Sequence, residues 1–237
     1  MCRIVFPVVC AGLVLAGTSE ASAQVFDYQA SLGTLPTSQG WTLTQSGSPA
    51  AAVVTGGYLK SVTTTNAQTQ FWSVSPSTID FSRGASIEAR VRINNSTFYN
   101  DGSFKRSGWN LLLSDSAGRF ILAGISNASV HLRRDNNTGG TQAAVNMVGN
   151  FATVKLSVSG STATLSLNGS QILTTSVSAA GGTAENQMSF GESSILALSD
   201  TDVEWVRAEA VPEPASLLVL GASCLGVALR KRRRANA

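Results

Sequence analysis

Cysteine is scarce in this chain of 237 residues, and the three present, Cys2, Cys10 and Cys224, all lie near its ends. Residues 24–210 contain none. That excludes an internal disulfide and a cysteine-ligated zinc in this stretch. Stability must come from the apolar core, for which about 190 residues suffice, since a 150-residue domain already buries roughly 70% of its unfolded surface. Histidine is reduced to His131. A lone imidazole could serve a Ser–His–Asp arrangement, but no G-x-S-x-G elbow accompanies it, and a structural or surface histidine is the plainer reading. A basic excess is missing too, although the whole chain carries +3. Arg3 and the run Arg230 to Arg234 hold six of the 17 Lys and Arg; Glu20 and Glu213 are two of the 14 Asp and Glu. The middle of the chain keeps eleven cations against twelve anions, a formal charge of −1. A phosphate-binding footprint must sit on the folded domain, so a nucleic-acid partner is excluded.

The two ends read as targeting segments. Met1 to Arg3 are a short positive stretch, Ile4 to Ala16 an apolar one, and Ala21-Ser22-Ala23 a small-residue cleavage site. Residues 1–23 are thus expected to be a signal peptide, with Gln24 first after cleavage. Cys10 lies inside the apolar run, which argues against lipidation there. At the other end, Val211-Pro212-Glu213-Pro214 leads into an apolar run, Ala215 to Leu229, and then into Arg230, Lys231, Arg232, Arg233 and Arg234. Fifteen helical residues reach about 22 Å, short of a bilayer core of about 30 Å. Snorkelling arginines cover the shortfall at modest cost. By the positive-inside rule these cations stay cytoplasmic and everything before Val211 lies outside. A buried core helix is the alternative, and five consecutive cations at its end fit it poorly. The order Pro-Glu-Pro, apolar run, basic cluster resembles the PEP-CTERM sorting signal of Gram-negative bacteria. That resemblance implies export, an inner-membrane-anchored precursor with a transmembrane helix, processing near Pro212 to Pro214 by an exosortase-type enzyme, and a destination at the cell surface or in the extracellular matrix.

Between the ends the apolar period is two. Ile87, Ala89, Val91 and Ile93 alternate with Glu88, Arg90 and Arg92, the signature of a half-buried antiparallel strand. Val154, Leu156 and Val158 repeat it, Ser159-Gly160-Ser161 turns the chain, and Ala163, Leu165 and Leu167 point inward on the return. Asn168-Gly169 is a two-residue hairpin signal, so Phe151 to Val177 reads as a meander. Asn110–Leu113 and Arg119–Ile125 form a second hairpin around Asp115 to Gly118, and Val203–Ala210 a last strand. No segment sustains a 3.6-residue period. Residues 24–210 are expected to be one all-β domain, an antiparallel sandwich. Phe26-Asp27-Tyr28, Gly40-Trp41, the strand from Ser86, the hairpin from Trp109 and the pair ending in Asn168-Gly169 resemble the concanavalin A-like/laminin G-like jelly roll. That family is mostly carbohydrate-binding, with some glycan-cleaving members.

A glycan-cleaving site on this scaffold needs paired carboxylates, about 5–5.5 Å apart for retention. The usual Glu-x-Asp-x-x-Glu string is missing; Glu88 has arginines at the corresponding positions. Asp202, Glu204 and Glu209 read as solvated strand residues, and no enzymatic activity is expected. Asp135, Asn136 and Asn137 are oxygen ligands of the kind calcium takes, but with Thr138-Gly139-Gly140 they also make an ordinary turn, and no cofactor is assigned. The segment Phe98 to Asn110 holds four aromatics and two cations among Gly, Asn, Asp and Ser. Tyr99, Phe104 and Trp109 could stack on sugar rings, and Asn100, Asp101 and Arg106 could bond hydroxyls. In the competing reading Phe98 and Trp109 merely fill the core. Trp41, Trp72 and Trp205 are placed in the core. Two functions lead, a lectin-like module binding exopolysaccharide or a structural surface protein with no defined ligand, and a glycan-processing enzyme comes third.

Overall fold

The strand read at Ser86–Ile93 runs longer than the alternation suggests, from Ala85 to Ser96, and neighbours the center of one of two facing sheets. The structure, a computed structural model, describes residues 23–100, 105–133, 140–177, 186–194 and 196–210. In chain order the strands are β1 (Gln24–Gln29), β2 (Thr42–Ser46), β3 (Val53–Thr55), β4 (Tyr58–Val62), β5 (Thr69–Val74), β6 (Ala85–Ser96), β7 (Phe98–Asn100), β8 (Lys105–Ser107) and β9 (Trp109–Ser114). They continue as β10 (Phe120–Ile125), β11 (Ser129–Arg133), β12 (Gly140–Ala144), β13 (Phe151–Ser159), β14 (Thr162–Leu167), β15 (Ser170–Ser176), β16 (Gln187–Glu192) and β17 (Ser199–Ala210). The first sheet has the order β15-β14-β13-β6-β17-β4-β3, with β1 also on β17. The second has the order β12-β11-β10-β9-β16-β5-β2, and β7-β8 stands apart as a hairpin. All strand pairs are antiparallel.

Alternation places the core. Ile87, Ala89, Val91 and Ile93 of β6 and Val154, Leu156 and Val158 of β13 are buried on one side of the first sheet. They share a cluster with Leu111 and Leu113 of β9 and Phe190 of β16 on the second. Aromatic rings lock the two sheets: Phe190 stacks on Trp72 at 5.4 Å, meets Trp41 edge-on at 5.0 Å, and lies 6.2 Å from Tyr28 of β1. The meander is as read, with Leu156 opposite both Ile87 and Leu165. Its Asn168-Gly169 turn has φ of 50° and 80°, the paired positive values that a two-residue hairpin of this twist requires. The β9–β10 hairpin is fixed by Asp115, whose Oδ1 accepts the Ala117 and Arg119 amides at 3.0 and 2.8 Å while Oδ2 pairs with the Arg119 guanidinium at 2.6 Å.

The register carries a direct test. Leu165 is buried and Thr164 faces outward. Leu165→Ala should cost about 2–5 kcal/mol, Thr164→Ala no more than about 0.5 kcal/mol. Denaturant melts of the two variants giving equal losses would show the register to be wrong.

Regular pairing breaks on β14, between Leu165 and Ser166, and twice on β17. β17 carries a bulge between Val203 and Trp205, so both Glu204 and Trp205 oppose Arg90. The extra residue turns Trp205 to the outer face, half-buried, rather than into the core where its strand setting placed it. The same bulge puts Glu204 and Glu209 on one side. Asp202 is buried rather than solvated, because the Arg92 guanidinium caps it at 2.7 Å. Residues 1–22, with Ala21 of the expected signal peptide, and residues 211–237, with Pro212, Glu213, Pro214 and the cations 230–234, lie outside the described residues; Ala23 is exposed just ahead of β1. Among the described residues no helix is long and apolar enough to cross a membrane.

Candidate functional site

The segment read as an aromatic-rich loop is in part a two-stranded ribbon, with Phe98 opposite Ser107, Tyr99 opposite Arg106 and Asn100 opposite Lys105. Asp101 and Phe104 lie outside the described residues, as do Asp135, Asn136 and Asn137. Tyr99 is the most accessible described aromatic of the ribbon, 36% exposed. Arg106 is half-buried, and burial holds its guanidinium below its usual range. Trp109 takes the opposite role from the one that sugar stacking requires. It opens β9 opposite Ile125 on the inward face and is 1% exposed. Its ring has no free face, so it is a core residue.

Beneath the ribbon lies the outward face of the second sheet. Since Trp109, Leu111 and Leu113 point inward, Asn110 and Leu112 point outward, and the cross-strand pairs extend from them in rows. One row runs Phe71, Gly191, Asn110, Gly124, His131 and Gln142. The next runs Ser73, Ser189, Leu112, Leu122 and Arg133. Glycine at 124 is required by close approach: a Cβ there would sit 2.1 Å from His131 Cε1. His131 therefore packs down onto its neighbour strand and is 1% exposed. Phe98 covers it at 5.5 Å between ring centroids, and the Ser107 hydroxyl meets Nδ1 at 3.2 Å. It is the structural histidine of the sequence reading, and it seats the ribbon on the sheet.

Where the ribbon leaves the sheet, an open cavity of about 470 Å³ is lined by Ser96, Thr97, Phe98, Ser126, Asn127, Ala128, Ser129 and Gln142. Its volume falls within the roughly 300–1,000 Å³ of small-ligand sites. The walls are stiff. Asn127 Oδ1 accepts the Ser96 amide at 2.6 Å, Ser96 Oγ donates to the Ile125 carbonyl at 2.7 Å, and the Ser126 and Ser129 hydroxyls meet at 2.9 Å. Gln142 stands exposed at the rim.

The two outward faces differ in charge. On the first sheet, cations and anions pair across strands: Arg92 with Asp202 at 2.7 Å, Arg90 with Glu204 at 2.7 Å, and Lys155 with Glu88 at 3.9 Å. Arg92 is further held between the Tyr58 and Phe151 rings, at 5.1 and 4.8 Å. On the second sheet, the rows above carry no acid, and their one cationic side chain, Arg133, is 7% exposed.

One ionisable group escaped the sequence reading. Glu192 ends β16 in phase with Met188 and Phe190, so it points inward, opposite Gln70, and has no exposed surface. Oε1 accepts the Ser194 amide at 2.6 Å. Burial pushes its carboxyl up to about 10, and the Ser194 amide and the Ser199 hydroxyl oppose this only in part. The parity of Met188-x-Phe190-x-Glu192 is the signal that could have found it. Among the described residues no cluster of three or more His, Cys, Asp or Glu could hold a metal.

Comparison with known proteins adds two findings. Residues 210–234 match the PEP-CTERM protein-sorting motif. No curated protein matches the chain in sequence. In three dimensions the chain is similar to the conserved carbohydrate esterase of the Shiga toxin-encoding bacteriophage phi24B, with TM-score 0.55, 12% identity, and 81% and 100% of the two chains covered. It is similar to laminarinase from Flavobacterium sp. UMI-01, with TM-score 0.51, 10% identity and 77% and 97% covered. It is also similar to a sialidase, with TM-score 0.52 and 12% identity, where 76% of this chain spans 18% of that one. At these identities the likeness shows the fold, a concanavalin A-like jelly-roll sandwich.

Proposed function

We propose that this is an exported protein whose sandwich binds polysaccharide at the cell surface or in the extracellular matrix. Its tail is then a sorting segment, handled by an exosortase-type enzyme while the inner membrane holds the precursor. The sorting motif at residues 210–234 supports the export part. The observation that carries the binding part is the open cavity beside the ribbon, with an aromatic ring, an exposed amide and stiff hydroxyl-bearing walls. Sugars use these groups: ring C–H faces pack on aromatics, and hydroxyls trade hydrogen bonds with amides. The reading is one of binding without turnover. Asp202 and Glu204 are held by arginines on the outward face of the first sheet. Solved enzymes with this fold do not decide the matter, because chemistry resides in sites and not in folds.

Purified full-length protein should bind at least one polysaccharide with micromolar to millimolar affinity, about 4–8 kcal/mol. Tyr99→Ala and Gln142→Ala should each remove at least about 1 kcal/mol of it with unchanged melting curves. Glycan-array and pulldown assays read this directly. Hydrolysis of any polymer in the panel would contradict binding without turnover. The second reading, a structural surface protein without a ligand, is favoured by one fact: Ser96, Ser126, Ser129 and Asn127 already spend their polar atoms on internal bonds. Absence of binding to every polymer would establish it.

A further inference from the structure

We infer that the cavity beside the ribbon recognises the acetamido group of an N-acetylated sugar; this deepens the binding function proposed above and rests on it. The polar groups of the walls are committed to one another. Ser96 Oγ donates to the Ile125 carbonyl and accepts the Trp109 amide at 3.2 Å. The Ser126 and Ser129 hydroxyls bond each other, and Ser126 Oγ also accepts the Ser129 amide. Asn127 uses both ends of its side chain, Oδ1 for the Ser96 amide and Nδ2 for Asn95 Oδ1 at 3.1 Å. Thr97 Oγ1 accepts the Leu198 amide at 2.8 Å. What these bonds leave for a ligand is apolar, the half-buried Phe98 ring and the exposed Ala128 methyl, together with one carboxamide. That carboxamide is Gln142, exposed at the rim and bonded through its side chain to no described residue. Unlike the buried rows of the sheet, these groups are within reach of a solute.

Such a lining selects the substituent that enters it. A sugar hydroxyl pushed between satisfied walls gives up its water and finds at most a partial partner, the penalty of any polar group buried unpaired. An acetamido group brings a methyl, which gains by leaving water for the Phe98 ring and the Ala128 methyl. It also brings a secondary amide, one donor and one acceptor side by side. A glutamine side chain answers both, Nε2–H donating to the acetyl carbonyl while Oε1 accepts the acetamido N–H. The same sugar with a bare hydroxyl at that position has neither the methyl contact nor the paired amides. Charge plays no part, because no described ionisable side chain lines the cavity.

Chitohexaose and cellohexaose share their linkage and differ on each ring only in an acetamido group against a hydroxyl. Titration calorimetry of the full-length protein with each, in a detergent that carries no sugar, isolates that group. We expect chitohexaose to bind at least about tenfold more tightly, the discrimination that one methyl-sized group gives in an apolar pocket. Gln142→Ala should cut the ratio to about threefold or less, and so should Ala128→Leu, which fills the space the acetyl methyl would take. Both positions are exposed, so melting curves should not change. Thr164→Ala on the first sheet should leave the ratio intact. Equal affinities for the two hexamers overturn the acetamido inference while leaving polysaccharide binding standing. So does a preference that either cavity variant leaves unchanged, since the acetamido group would then be read elsewhere on the domain. Binding to neither hexamer but to another polymer of the panel above has the same meaning. Binding to no glycan at all overturns both.

Discussion

Unfolding free energy measured from pH 5 to pH 9 should fall steadily in the wild type and much less in Glu192→Gln. Glu192 is fully buried, and burial places its carboxyl near 10 in the folded protein, whereas an unfolded glutamate titrates near 4.3. Between those values the folded state holds a proton that the unfolded state has released. Stability therefore drops as pH rises, by at most about 1.4 kcal/mol per pH unit for a single group. Its contribution is complete below about pH 4 and gone once pH passes about 10. From pH 6 to 8 the loss approaches about 3 kcal/mol, a large share of a typical 5–15 kcal/mol total. Glutamine keeps the shape and neutrality of the protonated acid, so the variant should match the wild type near pH 5 and exceed it at pH 9. Asp80 shifts the other way, held low by the Ser82 hydroxyl and amide, but it acts only in acid and leaves this window untouched. Parallel slopes for the two proteins in urea melts across the series would mean that Glu192 is charged and solvated.

Trp109→Ala should lose about 3–5 kcal/mol of stability, and Tyr99→Ala no more than about 0.5 kcal/mol. They lie ten positions apart in the chain, yet one begins a strand whose inward face meets Ile125, while the other sits on a ribbon edge in contact with solvent. Trp109 is among the largest fully buried side chains, with no disulfide to compensate for its removal. Any binding defect in Trp109→Ala must therefore be read against its melting curve, and Tyr99→Ala is the clean probe of ligand contact. Similar melting temperatures for the two variants would place Trp109 at the surface after all.

Much of the fold was legible because it rests on local alternation. Residues 151–177 declare three strands and two turns through period-two apolar positions and an Asn-Gly pair, and the structure places all of them. Trp205 was misplaced because a bulge is a property of strand pairing: nothing in the Val-Glu-Trp-Val string shows that two residues will oppose one. Trp109 misled for a related reason. Its neighbours Gly108 and Asn110 have loop composition, but Gly108 is there for space, since a Cβ would fall 1.8 Å from the Leu198 carbonyl oxygen. The cavity could not be foreseen at all. Its walls come from residues 96–98, 126–129 and 142, which are joined by the Ser96–Asn127 hydrogen bonds and by the pairing of β12 on β11. Glu192 is legible only as parity, in phase with Met188 and Phe190, because it has no second acid beside it on its strand.

β1 begins at Gln24, and Gln24 sits directly opposite Ala210, the last residue of β17. Both chain ends of the sandwich thus emerge from neighbouring strands, about 5 Å apart, although nearly the whole sequence lies between them. β17 runs twelve residues from Ser199, which pairs with the cavity-lining Ser96, to that shared exit. At about 3.3 Å per residue the exit stands some 35 Å from the cavity. Fusion partners, affinity handles or surface tethers attached at either end will therefore crowd the same pole and leave the other unobstructed. An immobilisation point at Gln24 or at Ala210 would turn the cavity pole of the sandwich away from the support.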